Sequence, residues 1–243
     1  SLFIRLSKIG TWELLFYRGA IPFFFVLIGL LLFYKKNFLN ALFKIGYVGI
    51  FYIISFSACN ITFIISIQNT NVANTLIMVA LAPMLSAILA AIFLKEPTNK
   101  NTWAAIFVTF FSVTFIFYDS IQLGNIKGDI YGFITALGLA INANLARYAK
   151  EIDLVPSAVI GKLVVAIFAF FFVDNFYLSN MDLFIVPLMC VMCVAIPFVL
   201  VTIAPRFISA PEVNLFFLLE VILGPIWVWL IIKEQPSLQT IIG

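Results

Sequence analysis

The chain has 243 residues, 64% of them hydrophobic and 10% charged, with a mean hydropathy of +1.15. A soluble domain is nearer half apolar and a quarter charged, so this composition excludes a water-solvated globular fold. Histidine is absent, which removes the usual general base and the commonest metal ligand, and 14 Lys+Arg against 11 Asp+Glu is too small an excess for nucleic-acid binding.

A bilayer core asks for about 20 apolar residues per helix. Ser1–Ile9 reads as the end of an earlier helix leaving the membrane at Arg5 and Lys8, with no cleavable signal peptide. Eight spans are then predicted: Trp12–Tyr34, Ala41–Ile67, Val72–Leu94, Trp103–Tyr118, Ile130–Ala149, Pro156–Val173, Leu183–Ala204 and Ile208–Ile232. Ser237–Gly243 reads as the start of a further helix, so the chain is expected to be a region of a longer protein. The connections, from YKKN to KEQPS, are short and polar; they leave no soluble module and place successive helices antiparallel. Cys59, Cys190 and Cys193 lie inside apolar runs. Cys190-Val-Met-Cys193 has the spacing of redox and metal motifs, but within a membrane helix it reads as two small packing residues one turn apart. No metal and no cofactor are expected.

Charge orients these spans. Alternate loops collect Lys35, Lys36, Lys44, Lys95, Lys100, Arg147, Lys150 and Arg206 on one side, and Lys127 and Lys233 with Arg5, Lys8 and Arg18 on the other. The positive-inside rule makes the first side cytoplasmic.

The sequence also repeats itself. Shifted by 138 residues, VANTLIMVALAPMLSAILAAIFLKEPTNKNTWAA lies over APEVNLFFLLEVILGPIWVWLIIKEQPSLQTIIG without a gap. Leu81 meets Leu219, Leu85 meets Leu223, and Lys95-Glu96 meets Lys233-Glu234, each pair followed closely by proline. The second copy falls an odd number of spans after the first and is therefore expected to be inverted in the membrane. Inverted repeats mark secondary transporters, in which two similar halves exchange conformations.

LAPMLSAILAAIFLKEPTNKNTWAA and LLEVILGPIWVWLIIKEQPSLQTIIG share a proline within the helix, a Lys-Glu ending and a small residue in the following helix. On these residues the chain resembles the EamA-type drug/metabolite transporters. LLFYRGA, with Arg18, is similar to the start of the family's second helix, and GDIYGFITALGLAINANLARYAK to the start of its second half. The resemblance implies an all-α integral membrane bundle of two inverted five-helix repeats, here 1–118 and 119–243. The first of ten helices would be nearly absent and the last cut short. It also implies alternating-access transport of small organic metabolites, amino acids or related compounds, in the direction of efflux, across the bacterial inner membrane. Uptake of a nucleoside-like or cofactor-like metabolite, such as S-adenosylmethionine or riboflavin, is the alternative. One departure is visible: where the family often has Glu-Pro, this chain has Glu220-Val221, and the proline moves to Gly224-Pro225.

Glu220 is the first candidate for the pathway, because an acid at mid-bilayer costs about 2.5–3.5 kcal/mol and must face the bundle interior. Helical spacing puts Val213, Phe216, Phe217, Leu223, Gly224 and Trp227 on its face. The acid reads equally as a substrate or coupling-proton site and as a protonated structural group. Asn60, Asn142 and Asn214, with Phe216 and Trp227, complete the expected substrate pathway; each asparagine alone is also ordinary interhelical glue. Lys162 is expected to snorkel to the cytoplasmic interface. Arg18, Glu96, Glu234, Pro83 and Pro225 are expected to be structural, the two glutamates as pins bonded to the following loop or the adjacent lysine. Catalysis is not expected, since no set of acid, base and nucleophile is present. A phosphate-bearing substrate would want paired internal cations, and only Arg18 and Lys162 come near. The expected partners are a small-molecule substrate, the lipid bilayer and a coupling proton, with no nucleic acid.

Overall fold

The computed structural model describes residues 9–35, 44–70, 72–96, 126–217 and, singly, 100, 103, 104, 107, 108, 111, 219, 223, 226, 229 and 230. Among the described residues there are helices, turns and connections but no strand. Five helical stretches are long and apolar enough to cross a membrane, and Val155–Phe170 is a shorter apolar helix of 16 residues.

Helix α1 (Thr11–Tyr34) and helix α2 (Gly46–Asn69) each have 24 residues, about 36 Å at 1.5 Å per residue. α2 begins five residues later than the hydropathy of Ala41–Ile67 predicts. Its first residue, Gly46, has a φ of +55°, a left-handed conformation that glycine adopts without strain. The next span is not one continuous helix. α3 (Val72–Val79) stops, the chain turns through Ala80 and Leu81, and α4 (Ala82–Leu89) restarts with Pro83 in its first turn. Proline suits that position because the first-turn N–H has no intrahelical acceptor to lose. A π-helical turn, Ala90–Leu94, follows, and Lys95 at φ +55° ends it by donating its N–H to the Ala90 carbonyl. Of the predicted Trp103–Tyr118 span, only the single positions named above are described, and they are helical.

Helix α5 (Ile126–Tyr148) starts four residues before the predicted Ile130. Gly128 permits this: a Cβ there would stand 2.6 Å from the Thr70 Cβ, so only glycine lets the helix start against the end of α2. Helix α6 (Val155–Phe170) is next. The following span is broken into α7 (Asp182–Met189), a π-helical stretch (Cys190–Ala195), α8 (Ile196–Ile203) and a short 3-10 turn (Ala204–Arg206). α9 (Ala210–Leu215) opens after Ser209, whose N–H donates to the Glu212 carboxylate at 2.9 Å.

α5 packs on α2, α3, α4 and α9, while α6 packs on α1 and α2. Under the 138-residue shift α1 falls on α6, and these two lie against each other; α9, the counterpart of α3, packs on α4 of the first copy. The outer surface carries exposed Phe24, Phe33, Phe51, Phe171 and Phe184, the inverse of a soluble protein and the surface that lipid tails cover.

One end of the bundle is tied by polar contacts. Arg147 at the end of α5 pairs with Glu96 at 3.1 Å and donates to the Pro205 carbonyl at 3.3 Å. Arg206 pairs with Asp153 at 3.3 Å and donates to the Ile152 carbonyl, and the Tyr34 hydroxyl also bonds Asp153. The charged loops that alternation assigns to one side are thus together in space. The contacts agree with the expected inversion where the second copy is described, at its start. The first repeat helix ends at Glu96, beside Pro205, and its counterpart begins from that same end at Ala210. Over these residues the two copies run in opposite directions. Among the described residues Glu96 pairs with Arg147, 51 residues away on another helix, a partner the sequence reading did not name.

Candidate functional site

Between the two ends, at mid-depth of the bundle, lies an internal cavity of about 200 Å³. Its polar lining comes from four helices: Arg18 of α1, Asn60 of α2, Thr135 and Asn142 of α5, and Lys162 of α6. Phe56, Phe63, Phe198 and Phe217 supply aromatic walls.

Lys162 is the decisive correction to the sequence reading. It does not snorkel; its side chain is 1% exposed. It falls on a stripe of α6 made of Val155, Ala158, Val159, Val165, Ala166 and Ala169, all buried. This stripe packs closely because its residues are small. A Cβ on Gly161 would stand 2.8 Å from the Phe56 ring, and Ser57 Oγ donates to the Gly161 carbonyl at 3.1 Å. The ammonium donates to Asn60 Oδ1 at 2.6 Å and stands 5.4 Å from the ring centroids of both Phe56 and Phe198. Asn60 is oriented for this contact because its Nδ2 donates to the Phe56 carbonyl at 2.8 Å. The Arg18 guanidinium lies 5.8 Å from the Phe63 centroid, so two cations reach one cavity, each over an aromatic face.

Stacked and edge-on rings line the cavity around Phe56. Tyr52 stacks on Phe56 at 5.7 Å, Phe56 meets Phe198 edge-on at 5.8 Å, and the Tyr52 hydroxyl bonds Thr202 at 3.0 Å. Further polar contacts join α2 to α5 and α3, one of them through the cavity-lining Thr135. Thr62 and Thr135 share a 2.8 Å bond, and Ser66 bonds both Thr75 and the Gly128 carbonyl at 2.8 Å. Asn144 donates to Ser86 and is glue between α4 and α5.

A family model described as the EamA-like transporter family matches residues 2–118 and again 126–243. The chain belongs to the EamA-like transporter family. A crystal structure of another protein shares the fold with a TM-score of 0.68 at 13% sequence identity, covering 96% of this chain and 81% of that one. No curated protein gives a significant sequence match. The protein is thus a multi-pass membrane transporter, built as an all-α bundle with two EamA-like repeats.

Within this EamA-like transporter the residues singled out in the sequence separate into groups. Asn60 and Asn142 line the cavity, and the buried Asn142 Oδ1 has no hydrogen-bond partner among the described residues. Asn214 is 1% exposed and donates to the Ala210 carbonyl one turn back, a bond within its own helix. Phe216 is corrected: it is 66% exposed, and its neighbour Phe217 takes the place in the cavity wall. Leu223 is also exposed. Arg18 lines the cavity as well as belonging to the family-like LLFYRGA stretch. Pro83 marks the restart of a helix. Glu220, Pro225, Trp227 and Glu234 lie outside the described residues. Among the described residues no cluster of His, Cys, Asp and Glu has the makings of a metal site.

Proposed function

We propose that this EamA-like transporter is a secondary transporter that moves small polar organic metabolites, amino acids or related compounds, by alternating access. The direction is efflux and the membrane is the bacterial inner membrane. The carrying observation is the cavity at mid-depth, whose polar groups come from both matched segments: Arg18 and Asn60 from the first, Asn142 and Lys162 from the second. A site shared by two inverted halves is reached from either side when the halves exchange conformations. Its volume suits a metabolite smaller than a typical drug. The polar ties at one end then act as the closed gate of one conformation, and breaking them opens the cavity there. Glu220 remains the candidate for proton coupling, on the cost of an acid at its depth in the sequence.

The test is flux through the full-length protein in proteoliposomes, using labelled amino acids with and without a proton gradient. Saturable, gradient-dependent flux that empty vesicles lack is the expected result. Absence of flux for amino acids and related metabolites in either direction overturns the reading.

A further inference from the structure

Among the described residues no Asp or Glu lines the cavity that holds Lys162. Lys162 has an amide oxygen as its hydrogen-bond partner and two phenyl faces beside it. An ammonium has three donors, and Asn60 accepts one. The phenyl faces soften the cost of burial but accept no conventional hydrogen bond. A neutral amide cannot neutralise a cation, so the group that best complements Lys162 is an anion entering with its own charge.

We propose that the transporter recognises its substrate through an anionic oxygen group, a carboxylate or a phosphoryl group, received by Lys162 in the Asn60–Phe56–Phe198 setting. The apolar part of the solute lies against Phe56, Phe198 and Met189, which line the same cavity. This deepens the transport reading and rests on it for the step of translocation, but not for binding. Lys162 is a binding residue, and Asn60 is its positioning residue, since the Asn60 amide is held by the Phe56 carbonyl and directs Oδ1 at the ammonium.

The experiment uses the full-length protein in detergent and measures binding by calorimetry for a matched probe set. Phenylacetate and phenyl phosphate carry the two anionic groups; phenylacetamide is the neutral control and phenethylamine the cation. One or both anions are expected to bind roughly tenfold or more tightly than the amide and the amine. The stronger anion identifies the head group. Lys162→Met is expected to erase that preference while leaving amide binding unchanged, and Lys162→Arg to retain it. If Lys162→Met does not fold, Asn60→Asp decides, because it places a carboxylate beside the ammonium and is expected to abolish anion preference. Equal binding of amide or amine overturns the proposal, as does anion preference that survives in the folded Lys162→Met protein or in Asn60→Asp. Flux separates the two readings. Anion binding without flux overturns transport and leaves this site; flux indifferent to charge overturns the site and leaves transport.

Discussion

At the residue scale, glycine positions distinguish close packing from empty space. A Cβ on Gly19 would meet the backbone N of Ala166 at 2.6 Å, where α1 crosses α6. Gly19→Ala must push the two helices apart, so we expect a loss of about 1–3 kcal/mol, read as a lower thermal midpoint in detergent. Gly29 has nothing within 4 Å of its would-be Cβ. Gly29→Ala should leave the midpoint unchanged or raise it, by about 0.5–1 kcal/mol from backbone entropy. An equal fall in both variants would contradict the α1–α6 contact. Glu220→Gln is expected to abolish or uncouple transport while the folded protein stays in the membrane; unchanged flux with unchanged pH dependence would leave only a structural acid. Of the cavity residues, Asn60 and Asn142 were legible because amides stand out in apolar helices. Lys162 was not, because a lysine within two turns of a helix end has the same spacing whether it snorkels or turns inward. The signal available was its stripe: Ala158, Val165, Ala166 and Ala169 are small residues at helical spacing, the mark of a face packed on a neighbour.

At the element scale, the ends of the helices matter more than their middles. The Lys-Glu stop after α4 is a repeat signature in the sequence, and its physics is visible in the fold. Lys95 takes the left-handed conformation that ends the helix, and Glu96 crosses to Arg147. Partly exposed pairs of this kind contribute about 0–1 kcal/mol, so they add little to keeping the protein folded; in the proposed transport cycle they hold one end shut. Arg147→Ala with Arg206→Ala should therefore change the thermal midpoint little. It should instead speed labelling of Cys193, which lines the cavity, by a membrane-impermeant maleimide added at the tied end, with Cys193→Ser as the blank. Unchanged labelling would show that these ties are not the gate. Helix interruptions were not read from the sequence: Pro83 stood inside one expected span, and the π-helical stretches at Ala90–Leu94 and Cys190–Ala195 have no sequence marker.

At the scale of the whole molecule, the inverted repeat predicts that single cysteines at positions 95 and 233, in a cysteine-free background, label from opposite faces of the membrane. Labelling from the same face would remove the inversion. The bilayer explains why so much of this architecture was written in the sequence alone. Every spanning segment must satisfy its backbone internally and present apolar side chains to lipid, so length, hydropathy and loop charge determine the helical class, the span order and the two-copy pattern. The sequence could not decide which helix face turns inward, because lipid and protein interior are almost equally apolar and impose no hydrophobic contrast between them. That choice depends on where small residues let helices approach, as at Gly19 against Ala166 and Gly161 against Phe56. Tertiary packing therefore carried Lys162 into the cavity beside Asn60 and turned Phe216 out of it.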